Sequence, residues 1–78
     1  MWIRTQDHKK LIDALELQII PCSQRDFKGY CIVATSHNSL FMNKIELGKY
    51  QTIEEAYIVL SDIQYHININ SQNVYQMK

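Results

Sequence analysis

The sequence predicts an α+β domain: an antiparallel meander of three to five strands with one C-terminal α-helix packed on one face. Three observations carry this. Leu15-Glu16-Leu17-Gln18-Ile19 alternates with period two, and Tyr30-Cys31-Ile32-Val33-Ala34-Thr35 is a β-branched and aromatic run. Residues 52–67 join a capping signal to an apolar stripe of helical period.

Trp2-Ile3-Arg4 reads as a short first strand that ends at the polar stretch Thr5-Gln6-Asp7-His8-Lys9. The second strand covers residues 11–20. Leu11, Ile12, Leu15 and Ile19 also fit one helical stripe, but strict alternation running into Ile20-Pro21 favours a strand. Pro21 cannot donate to a ladder, so it is expected at the strand's end. Ser23 to Gly29 reads as a polar connection to the third strand, Tyr30 to Thr35. Ser36-His37-Asn38-Ser39 reads as a tight turn, with Asn38 best able to adopt a left-handed conformation. A fourth strand is expected from about Leu40 to Tyr50, with Gly48 marking a bulge or a close backbone approach.

Thr52-Ile53-Glu54-Glu55 is a capping box, and its two acids suit the helix dipole. Ala56, Val59, Leu60, Ile63 and Ile67 then recur on one face, and Asn68 or Asn70 can stop the helix. Val74-Tyr75-Gln76-Met77 can return as a final short edge strand or fray.

Length and composition narrow the function. Seventy-eight residues make a single domain over 1–78, and a 46% hydrophobic content argues for a folded core. Lys+Arg and Asp+Glu balance at 8 each, with no basic arm or acidic tail, which argues against general nucleic-acid binding. Apolar runs are far too short to span a bilayer, and Met1-Trp2-Ile3-Arg4 lacks a secretory apolar region. A cytoplasmic location is the expectation. Cys22 and Cys31 then read as buried small hydrophobes rather than a disulfide.

Three segments resemble a group of short uncharacterised proteins of Gram-positive bacteria, their phages and mobile elements. They are Ile3-Arg4-Thr5-Gln6-Asp7, the stretch Leu47-Gly48-Lys49-Tyr50-Gln51-Thr52 leading into Ala56 and Val59-Leu60, and Tyr75-Gln76-Met77. They cover less than half of the chain. Thr5 stands where that group has Ser, and Lys78 where Pro is common. The resemblance implies a fold and a genomic setting, and brings no activity with it.

No catalytic, metal or cofactor site emerges from spacing. His8, His37 and His66 lie in no zinc pattern with another ligand, and a composite site with Cys22 or Cys31 needs the fold to gather its members. Cys31 sits in an apolar run, where a thiol is inert. Capping already explains Glu54 and Glu55, and Gly29 and Gly48 are too far apart for a phosphate loop. The chain therefore reads as a non-enzyme, with no small-molecule ligand indicated.

Surplus apolar residues offer two surfaces where a protein partner could bind. Ile58 and Tyr65 fall opposite the helix's apolar stripe, beside Glu54 and Ser61, and read either as scattered exposed apolar residues or as a contact patch. The third strand is apolar on both sides: Tyr30, Ile32 and Ala34 one way, Cys31 and Val33 the other. The fourth adds Met42 and Lys44 to one face, Phe41 and Ile45 to the other. A sheet with one helical cover then leaves a mixed apolar face, either for self-association, including a homodimer, or a foreign protein, or to be covered by loops and the termini, Trp2 included. The candidate partner contacts are Cys31, Val33, Met42, Ile58 and Tyr65. The alternative is a nucleic-acid-binding accessory protein using Arg4, Lys9, Lys10, Lys44 and Lys49.

Overall fold

The computed structural model describes residues 1–36, 44–70 and 72–78. The elements run β1 (Trp2–Arg4), β2 (Leu11–Gln24), β3 (Phe27–Ser36), β4 (Ile45–Tyr50), α1 (Ile53–Asn70) and β5 (Tyr75–Gln76). The strands form one five-stranded sheet in the order β4-β3-β2-β1-β5. Every pairing is antiparallel except β1 with β5, which is parallel. The helix packs over β3, β4 and β2, so the architecture is α+β with one helical layer.

Residues 11–20 are strand throughout, but two expectations about their surroundings change. Ser23 to Gly29 is not a loose connection: β2 and β3 pair out to Gln24↔Phe27 and turn at Arg25-Asp26. Pro21 is paired with Tyr30 inside the strand rather than at its end. It is tolerated because, among the described residues, β1 pairs with Leu11, Ile12 and Asp13 and no strand pairs with the outer edge of β2 at Pro21.

Strands β2 and β4 are bulged. The register steps from Ala14↔Ser36 to Glu16↔Thr35, so Leu15 is the extra residue. Ile12 and Ala14 point to the helix before the bulge, while Leu17 and Ile19 do so after it. Leu15 itself is exposed, contrary to the inward position that simple alternation gives it. The step from Ile32↔Gly48 to Val33↔Glu46 makes Leu47 the extra residue on β4, beside the glycine that signalled it. Strand β4 begins at Ile45, and the expected residues 40–43 and the turn at 37–39 lie outside the described residues.

Thr52 Oγ1 accepts from the Glu55 amide at 3.2 Å, as a capping box requires. The return bond differs: Glu55 Oε2 accepts from the Gln51 amide at 3.3 Å, one residue upstream of the cap. Ala56, Val59 and Ile63 are buried against Ile3, Ile12, Ile32 and Leu47. Ile67, on the predicted stripe, is largely exposed in the helix's last turns. The tail then pairs with β1 through Ile3↔Tyr75 and Arg4↔Gln76, burying Tyr75 and Met77 in the same core.

Candidate functional site

The three segments that carry the resemblance meet at one polar junction. The Gln6 amide donates to Leu47 O at 2.8 Å, tying the end of β1 to the strand at the far end of the sheet. Its side chain copies a strand partner for Lys49: Oε1 accepts from the Lys49 amide at 2.9 Å, and Nε2 donates to Lys49 O at 3.3 Å. Nε2 also donates to Lys78 O at 3.0 Å, which accepts from Tyr50 Oη at 2.8 Å. A Cβ on Gly48 would come within 2.8 Å of Tyr50 Oη and 3.2 Å of Gln6 Oε1, so only glycine leaves room for this clamp. Burial pushes the Tyr50 phenol up to about 12.

The preceding turn is equally specified. Thr5 Oγ1 donates to Asp7 Oδ1 at 2.7 Å and accepts from the Lys10 amide at 3.2 Å, and Asp7 Oδ1 accepts from the Lys9 amide at 3.0 Å. The Thr5 hydrogen bond, ahead of the Lys9 amide, lowers the Asp7 pKa. His8 takes a positive φ of 67° to close the turn. The motifs therefore build the fold's seam, beside a depression of about 330 Å³ lined by Thr5, Gln6, Asp7, Lys10, Glu46 and Gly48.

On the sheet face away from the helix, cross-strand parity aligns Gln18, Ile20 and Cys22 of β2 with Val33, Cys31 and Gly29 of β3. Glu46 and Lys49 of β4 lie opposite Val33 and Cys31. Cys31 Sγ donates to Glu46 Oε1 at 3.3 Å. One donor atom each from Cys22, Cys31 and Glu46 lies within 4.8 Å of the others. Burial, then the neighbouring Cys22 and Glu46, pushes the Cys31 thiol up to about 12, so it stays protonated at neutral pH. The Lys49 ammonium stands 4.0 Å from Glu46 Oε2, donates to Gln24 Oε1 at 2.7 Å and lies 5.6 Å from the Phe27 ring centre.

A groove of about 340 Å³ runs between the C-terminal half of α1 and β5, bordered by Tyr65, His66, Ile69, Val74 and Gln76. Its floor is rigid. Tyr75 Oη donates to Asp62 Oδ2 at 2.6 Å, Lys78 Nζ pairs with the same oxygen at 3.2 Å, and the His66 ring meets Tyr75 edge-on at 5.3 Å. That tyrosine bond, then Lys78, holds Asp62 below the usual carboxylate range, while burial and Asp62 raise the Tyr75 phenol. Because the Met77 amide donates to Arg4 O, Tyr75 and Met77 turn their backbone toward β1. Gln76, between them, turns its own outward.

The sequence-nominated contacts do not form one patch. Cys31 and Val33 are only 2% and 5% exposed, so a partner on that face meets their neighbours instead. Ile58 and Tyr65 are 69% and 62% exposed on the outer helix face. Met42 lies outside the described residues. Among the five nominated cations, Arg4 Nε donates to His8 O and Lys49 is engaged as above, while Lys9, Lys10 and Lys44 are exposed. The sequence reading missed Glu46 and Ile69. Treating residues 23–29 as a connection hid the hairpin register that puts Cys22 on the side of Cys31.

Among the described residues no helix is long and apolar enough to cross a membrane. Compared with protein-family models, curated proteins and solved structures, the chain matches none.

Proposed function

We propose that this chain is a non-enzymatic protein-interaction module that takes an extended, apolar segment of a protein partner alongside β5. One observation carries the reading: Tyr65, Ile69 and Val74 are 62%, 63% and 51% exposed beside an outward-facing strand edge. Positions 58, 65 and 69 fall within an arc of roughly 40° on the helix, so Ile58 extends the apolar strip beyond the groove. Adding a strand to an edge supplies main-chain hydrogen bonds, and alternate side chains of the added strand find the apolar wall. Self-association is the variant in which a second copy supplies that strand. A edge of two residues holds few ladder bonds, so the side-chain wall must carry the affinity and the complex is a transient one.

Free Cys22 and Cys31 suit a reducing, cytoplasmic setting. The resemblance to phage and mobile-element proteins supports a role in binding a host protein.

The test is selection from a displayed library of short random peptides on the immobilised chain. The reading expects convergence on sequences with alternating apolar residues, with binding lost in Tyr65→Asp and Ile69→Asp variants that keep the wild-type fold. Light scattering over a hundredfold concentration range separates the self-association form. Selection that finds no preferred sequence, from a chain that stays monomeric, would sink the reading.

A further inference from the structure

We infer that Cys22, Cys31 and Glu46 form a binding site for a thiophilic divalent cation, Zn²⁺, on the helix-free face of the sheet. Three adjacent strands bring together two sulfurs and a carboxylate oxygen within 4.8 Å of one another. Tetrahedral zinc holds sulfur at about 2.3 Å, which sets sulfur–sulfur separations near ~3.8 Å, so donors already within 4.8 Å of one another need move by only about 1 Å or less. Cys22 is half-buried and Cys31 buried.

The donor set selects the metal. Paired sulfur donors exclude Mg²⁺ and Ca²⁺, and the carboxylate favours Zn²⁺ over Cu⁺, which prefers sulfur alone. Three protein ligands leave the fourth position to water. The charges also close. Two thiolates and a carboxylate around Zn²⁺ leave one negative charge, each thiol having passed its proton to solvent, and the Lys49 ammonium stands 4.0 Å from Glu46 to balance it. Lys49 is itself held by Gln24 at 2.7 Å, which gives the site an outer shell. The site lies away from the β5 groove and does not depend on the function proposed for it.

The experiment is calorimetric titration of the full chain, kept reduced, with Zn²⁺, alongside Co²⁺ titration followed by absorption. One ion per chain is expected, with thiolate-to-cobalt charge-transfer bands and the strong visible bands of tetrahedral Co²⁺. Cys22→Ser removes a donor without disturbing the core, and Glu46→Gln replaces an exposed carboxylate. Each should weaken Zn²⁺ by more than the ~10-fold typical of losing an outer-shell partner. Circular dichroism of both variants must match wild type, and His8→Ala with His66→Ala should leave the affinity unchanged. Absence of charge-transfer bands overturns the proposal. So does affinity that survives both Cys22→Ser and Glu46→Gln, or a Cys22–Cys31 disulfide that persists in reductant.

Discussion

Replacing Gln6 with Ala tests whether a single side chain seals the sheet. The change removes the bonds at 2.9 and 3.3 Å to Lys49 and the bond at 3.0 Å to Lys78 O, but keeps the backbone bond to Leu47. An intramolecular hydrogen bond contributes about 0.5–1.5 kcal/mol net. Gln6 is only part-buried, so water recovers some of the freed Lys49 and Lys78 groups. The expected loss is therefore about 1–3 kcal/mol, below the full sum of three. In a domain of this size each kcal/mol moves the melting temperature by about 4–8 °C. Urea unfolding followed by circular dichroism gives the free energy, and hydrogen exchange at the Lys49 amide reports the local effect. Gln6→Glu should be worse than Gln6→Ala, because a carboxylate would face the Lys49 and Lys78 carbonyls. A loss below about 0.5 kcal/mol, with Lys49 still protected, would refute the clamp.

Two further outcomes follow from the packing. Gly29→Ala places a methyl against the Tyr50 carbonyl oxygen and 2.9 Å from Phe27 Cζ, so the backbones of β3 and β4 must part. A cost of about 1–3 kcal/mol is expected in the same urea assay, and a neutral result would contradict the close approach. Tyr50 has a folded pKa of about 12 because it is buried, above the unfolded value of about 10. Its stabilising effect is complete below pH 10 and is lost as pH rises through 12, because the unfolded chain gives up its proton first. Tyr50→Phe removes this contribution, so its stability should fall less steeply than wild type between pH 10 and 12, despite losing the bond to Lys78 O. Parallel slopes in that window would show that Tyr50 does not titrate against burial.

Much of the fold was legible in local chemistry. Period-two apolar spacing at residues 15–19, the β-branched run at 30–35 and the Thr52–Glu55 cap each express a preference that needs no distant partner. Gly48 announced crowding that the structure places between Tyr50 and Gln6. Other features depended on contacts remote in sequence. Alternation made Leu15 an inward residue, but a bulge is settled by how β2 meets both β1 and β3. Pro21 marked a strand end by rule, yet it is admitted inside β2 because none of the described strands pairs with that edge.

The sequence by itself determined the strand segments around residues 2–4, 11–20 and 30–35, the α+β class and most of the helix's inner face, because these follow from the spacing of apolar side chains and the chemistry of caps. Only the tertiary structure decided strand order, the parallel return of β5, the reach of Gln6 across 43 positions to Lys49, and the meeting of Cys22, Cys31 and Glu46. Each of these is a pairing between distant residues, and a pairing is fixed by which surfaces remain to be buried once every element has formed.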